Sequence, residues 1–179
     1  MSQKVAEQKK SVGVLVFLGD SAGNTAVLIR RGGHKRAGEQ YEPESYAGVC
    51  QVTAHSKLLI SREEETDAIN RIIKKELGLG LHRKLTELGV IANIKLLSRV
   101  EKAGDESVAT FGFVTDPRTF NRWVRTPDKT RKLLVRVTDL KDIMTTTKED
   151  KNSVIDDKSI VMFPDELEAL KAGFATFFK

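Results

Sequence analysis

Residues 61–79, Ser-Arg-Glu-Glu-Glu-Thr-Asp-Ala-Ile-Asn-Arg-Ile-Ile-Lys-Lys-Glu-Leu-Gly-Leu, form the most strongly patterned stretch of the chain. Ile69, Ile72, Ile73 and Leu77 recur at helical spacing and make one apolar stripe. Ser61 can cap the first turn, and Glu63, Glu64 and Glu65 stand where a helix dipole favours negative charge. Gly78 supplies a stop. The spacing predicts a helix over 62–77, buried along the isoleucine stripe.

Working outward, the flanks read as strands. Ser11–Leu18 (SVGVLVFL) and Thr25–Arg30 (TAVLIR) are β-prone runs separated by hairpin-turn residues, Gly19 to Asn24. Gly32–Ser45 is glycine-rich and polar, which predicts an exposed loop, and Tyr46–Ala54 predicts a further strand. Beyond the helix, Leu85–Val100 fits one or two strands, Val108–Val114 (VATFGFV) another, and Leu133–Val137 a short one before a polar helix near 139–144. Pro164-Asp165-Glu166 opens a terminal helix carrying Leu167, Leu170, Phe174 and Phe177. The pattern predicts a mixed α/β domain over 11–179, with 1–10 as a flexible N-terminal segment.

The 179 residues, 40% hydrophobic and 31% charged, suffice for one domain with a real core and exclude a disordered chain or a disulfide scaffold. No run approaches the roughly 18 apolar residues of a membrane span, and no membrane partner is expected. Met1–Lys10 is polar, without the apolar core of a secretion signal, so a cytoplasmic location is expected. The only cysteine, Cys50, cannot form an internal disulfide and is expected to pack as a small buried hydrophobe. The formal net charge of +5 suits a partner that carries phosphate.

The order strand, hairpin, strand, glycine loop, strand and acidic-headed helix ending Glu76-Leu77-Gly78-Leu79 resembles the Nudix hydrolase superfamily. Arg71-Ile72-Ile73-Lys74-Lys75-Glu76-Leu77-Gly78-Leu79 aligns with that family's helix motif, Glu63 precedes the arginine at the family's spacing, and Ala68 also fits. Val52-Thr53-Ala54-His55-Ser56 is similar to the family's Ser-x-x-Gly-His variant, with Ala54 in place of glycine. The resemblance implies an α/β/α sandwich with a mixed sheet. It also implies binding of a nucleoside diphosphate linked to another moiety, with hydrolysis assisted by Mg²⁺ or Mn²⁺.

By the same resemblance Glu76, Glu63 and Arg71 are the catalytic candidates, Glu76, Glu63 and Glu106 are the metal candidates, and His55 would contact substrate; Arg30 and Arg31, at the end of the second strand beside the glycine loop, offer a seat for an anionic ligand. A diphosphate needs its charge neutralised, and a hard cation on carboxylates both does this and activates water. The family places three glutamates on one helix face for that purpose. Here Ile72, Lys75 and Glu76 occupy those positions, so one carboxylate remains and an ammonium group stands beside it. The alternative is therefore a catalytically inactive Nudix module that binds nucleotide, RNA or a protein partner. RNA would engage the basic segment 118–136, where Arg118, Arg122, Arg125, Lys129, Arg131, Lys132 and Arg136 interleave with Phe120 and Trp123. Zinc-protease, P-loop and serine-hydrolase motifs are absent.

Overall fold

Strand β1 (Lys9–Gly19) organises the protein by presenting apolar side chains to both faces of a sheet. Val12, Val14 and Val16 enter one core cluster, and Leu15 and Phe17 enter the other. The two-residue period of a strand buried on both sides requires this arrangement. A computed structural model gives the fold and describes residues 9–19, 25–31, 34–37, 40–43, 48–58, 63–102, 106–119, 131–147 and 159–178.

On one edge β1 pairs in parallel with β8 (Glu106–Thr115) from Lys9↔Glu106 to Leu18↔Thr115. Its other edge is shared. Residues 11–14 pair with β6 (Ala54–Lys57), and residues 16–19 pair with β2 (Thr25–Arg31), both antiparallel. At the changeover the Val16 amide donates to Thr53 Oγ1 at 3.0 Å, so a buried side chain replaces the missing ladder partner. Strand β7 (Lys95–Lys102) continues beyond β8, while β5 (Cys50–Gln51) and β9 (Arg131–Arg136) pair with β2. The short strands β10 (Met144–Thr145) and β11 (Val161–Met162) lie beyond β5, completing a sheet of nine strands among the described residues.

Helix α1 (Glu65–Ile72), a π-helical turn (Ile73–Leu77) and α2 (Leu79–Glu87) cover one face. Ala68, Ile69, Ile72, Ile73, Leu77 and Leu85 pack there with the β1 valines and Phe113. Helix α3 (Pro164–Phe177) covers the other face through Leu167, Leu170 and Phe174. The result is the mixed α/β domain that the pattern predicted, in the α/β/α sandwich form that the resemblance implied. Strand β7 is tied to both helical layers. Arg99 forms a bidentate pair with Glu65 of α1 at 2.6 and 2.8 Å, and Lys102 meets Asp165 of α3 at 2.6 Å. Among the described residues, no helix is long and apolar enough to cross a membrane.

Five sequence expectations change. The helix starts at Glu65, with Glu64 as an extended N-cap, which leaves Glu63 ahead of it; Ser61 lies outside the described residues. Residues 34–37 and 40–43 form a two-stranded ladder, β3 (His34–Ala37) and β4 (Gln40–Pro43), instead of a loop. Ladder bonds are made by the backbone, so polar composition does not exclude them. Leu85 lies in α2 and not in a strand: Leu81 and Leu85 repeat one helical turn apart, and a helix restarts after Gly78, whose φ of +89° breaks the preceding turn. The polar helix expected near 139–144 is a 3-10 helix over Val137–Asp142. Of the N-terminal segment 1–10, residues 1–8 lie outside the description, and Lys9 and Lys10 belong to β1. Cys50 is buried, as expected.

Candidate functional site

The most constrained polar group on the helical layer is the Arg71 guanidinium. Its Nε and Nη2 donate to the two carboxylate oxygens of Glu63, each at 2.9 Å. Nη1 donates to Ser56 Oγ at 3.0 Å, and Nη2 also reaches the Lys57 carbonyl at 3.1 Å. One side chain thus joins the segment before α1, the helix itself and strand β6. A planar fork of five donors suits this task, and a lysine would not. The Glu63 carboxylate raises the Arg71 pKa further above its already high value. Both partners are largely shielded from water, so removing Arg71 would leave a poorly solvated carboxylate, at a cost of about 1–3 kcal/mol.

The structure therefore brings Glu63 and Arg71 together, as a brace. Ser56 and the Lys57 carbonyl are partners that sequence reading missed, because a serine hydroxyl and a backbone oxygen carry no recognisable motif. Glu76 lies on the π-helical turn and is partly buried, with Lys75 Nζ 3.9 Å from its carboxylate. Ile72 is only 1% exposed and belongs to the core, whereas Lys75 is open to solvent. The three-position face expected from α-helical spacing thus comprises a core residue, a cation and one carboxylate, and it is wound in part as a wider turn.

Glu106 begins β8, opposite Lys9 and Lys102 in the ladders. This end of the sheet lies beside the start of α1, where Arg99 of β7 meets Glu65, while Glu76 lies beyond the other end of that helix. His55 is exposed on β6, opposite Gly13. Arg30 and Arg31 close β2, opposite Gln51 and Cys50 on β5 and Lys132 and Arg131 on β9. Among the described residues, no group of three or more His, Cys, Asp or Glu side chains is placed to hold a metal ion. Among the described residues, the helix face of Ile72, Lys75 and Glu76 offers a single carboxylate to a divalent metal. Within the basic segment 118–136, residues 120–130 lie outside the description; Arg118 is exposed, and Asp116 caps the preceding turn by accepting from the Thr119 amide at 2.9 Å.

The Glu65–Arg99 pair yields a pH prediction. The Arg99 hydrogen bonds lower the Glu65 pKa below its ordinary 4.5. A depressed carboxylate pKa contributes stability that is present above the unfolded-state value and lost as pH falls through the folded-state value. The pair is partly exposed, so its contribution at neutral pH is expected to be under about 1 kcal/mol. Urea midpoints of the wild type and Glu65→Gln should differ near neutrality and converge in acid below the lowered pKa. A gap that persists there would show that another group is responsible.

In overall architecture the chain has the Nudix fold. A mutT/nudix family protein from Listeria innocua superposes with a TM-score of 0.62 at 13% identity, covering 96% of this chain and 94% of that one. Two others overlap more loosely and carry no functional comparison. The Nudix hydrolase RenU from M. smegmatis has a TM-score of 0.43 at 14% identity, over 96% and 89% of the chains. The NUDIX domain of Shewanella oneidensis NrtR, crystallised with ADP ribose, has a TM-score of 0.47 at 10% identity, over 94% and 88%. No protein-family model matches the chain, and no curated protein matches it in sequence. At such identities the likeness is one of fold.

Proposed function

We propose that this protein is a catalytically inactive Nudix-fold module that binds a nucleoside diphosphate linked to another moiety. One observation carries the reading: the helix face on which a metal platform would be built holds buried Ile72, exposed Lys75 and the single carboxylate Glu76, while Glu63 is committed to Arg71. Hydrolysis of a diphosphate in this fold class depends on metal-neutralised charge and an activated water. One carboxylate beside an ammonium group supplies neither. Binding needs less: cations within reach of the phosphates, and a fold that positions them. Exposed Lys75 stands on the helical layer, exposed Lys57 stands on the strand Arg71 braces, and the chain has a net positive charge.

The test is a thermal-shift and product-chromatography screen with ADP-ribose, UDP-glucose, diadenosine polyphosphates and capped RNA, run with EDTA and with Mg²⁺. A nucleotide bound only by the native state must raise the melting temperature. The expected result is stabilisation in EDTA by at least one nucleoside diphosphate derivative, without product. Mg²⁺ alone should not shift the wild type. Lys75→Glu, which adds a ligand and removes a repulsion, should create measurable Mg²⁺ binding by calorimetry. Turnover that Glu76→Gln abolishes would restore the hydrolase reading. Stabilisation by capped RNA alone would favour RNA as the partner. No response to any compound would leave a protein-interaction module.

A further inference from the structure

A cavity of about 450 Å³ opens on the flank of α1 opposite the Arg71 brace. Arg71 reaches toward β6 on one edge of β1, whereas this cavity lies toward β8 on the other. Ile69, Ile91, Ile94 and Phe111 form its apolar walls. Thr66, Asn70 and Thr86 supply its polar atoms. Its size falls in the range of small-molecule sites, and so does the mixture of apolar walls with a few placed polar groups. None of its lining residues is charged, although 31% of the chain is. A charged group entering it would lose hydration with no counter-charge, which favours a neutral occupant.

The polar atoms are oriented. Asn70 Nδ2 donates to the Thr66 carbonyl at 3.0 Å, and Asn70 Oδ1 accepts from His82 Nε2 at 3.0 Å. This fixes the amide plane and leaves, among the described residues, one amide N–H and one carbonyl lone pair to meet a ligand edge. Thr86 Oγ1 donates to the His82 carbonyl at 2.8 Å and retains acceptor capacity. Phe111 offers a wall on which a ring can stack. Leu96 stands directly opposite Phe111 in the β7–β8 ladder and is 49% exposed, so apolar surface continues outward from the cavity.

We propose that this cavity binds a neutral heteroaromatic molecule, with the ring held between Phe111 and the isoleucines and one donor–acceptor edge on Asn70 and Thr86. The proposal is independent of the diphosphate reading, because the two sites lie on opposite flanks of α1. It is tested on the full chain by isoleucine-methyl NMR and calorimetry, with indole and benzimidazole as probes. The expected result is saturable binding of at least one probe, with shifts centred on Ile69, Ile91 and Ile94. Ala92, exposed on the cavity lining, offers a filling variant: Ala92→Phe should weaken binding at least tenfold while the protein stays folded. Thr86→Glu, at a solvent-exposed position, places a charge at the mouth without touching the core and should do the same. Absence of binding by both probes, or binding that neither variant weakens, would overturn the assignment. So would pyrophosphate shifting these same methyl signals, which would make the cavity part of an anion site.

Discussion

Ile73→Asp is expected to remove most of the protein's folding stability, so that the variant is largely unfolded near physiological temperature. Ile73 has no exposed surface and sits where the π-helical turn presses on the β1 valines and Phe113. The substitution forfeits the transfer energy of a buried isoleucine, about 2–3 kcal/mol, and then buries a carboxylate with no cation in that cluster. Single changes that cost more than about 4 kcal/mol arise by this kind of mechanism, against a total stability of roughly 5–15 kcal/mol. Ile73→Val serves as the control and should cost about 0.5–1.5 kcal/mol. Urea denaturation followed by circular dichroism measures both. A cooperative wild-type-like transition in Ile73→Asp would remove α1 and its π turn from the core.

The second large effect is expected on the opposite face, at Gly173. A Cβ built there would overlap Phe17 Cζ and lie 2.7 Å from its Cε2, so α3 rests directly on that ring. Phe17 is fully buried and cannot step aside, because Phe174, Phe177 and Phe178 surround it with ring centroids 5.4, 5.3 and 6.1 Å away. In an isolated helix Gly→Ala gains about 1 kcal/mol. Here overpacking should outweigh that gain and leave a net loss of about 1–3 kcal/mol. A double-mutant cycle identifies the cause: in a Phe17→Leu background, Gly173→Ala should become neutral or stabilising. Additive effects would mean that the two residues do not meet.

Much of this architecture was legible because burial imposes a period. The β1 run alternates between two cores, the isoleucine stripe lines one face of its helix, and Leu167, Leu170 and Phe174 recur on α3. What escaped the sequence reading was set by geometry that no single residue encodes. The restart of a helix after Gly78 hid α2, since a glycine that ends one helix also suits the turn into the next. The β3–β4 ladder was hidden because its bonds are all between main-chain atoms.

The candidate site was readable in parts. The resemblance named Glu63 and Arg71 as separate catalytic candidates, and the structure places them in contact with each other. That the contact is a brace to β6 depends on Ser56 and the Lys57 carbonyl, which reach the helix only through the tertiary fold. The meaning of Ile72 likewise depends on burial. As a letter it is a missing glutamate, whereas in the fold it is a core side chain that a glutamate could not replace without cost.

The parallel pairing of β1 with β8 also bears on how the chain is made. Its partners stand about a hundred residues apart, and long-range pairing of this kind slows folding because loop closure must precede any reward. As the chain leaves the ribosome, β1 can first join β2 and then β6, which occupy one edge between them. The opposite edge waits for β8 through the synthesis of both helices of the α1 layer. In that interval an apolar strand with open hydrogen-bonding groups is exposed to its neighbours in the cell, and slow translation between residues 58 and 106 would prolong the exposure.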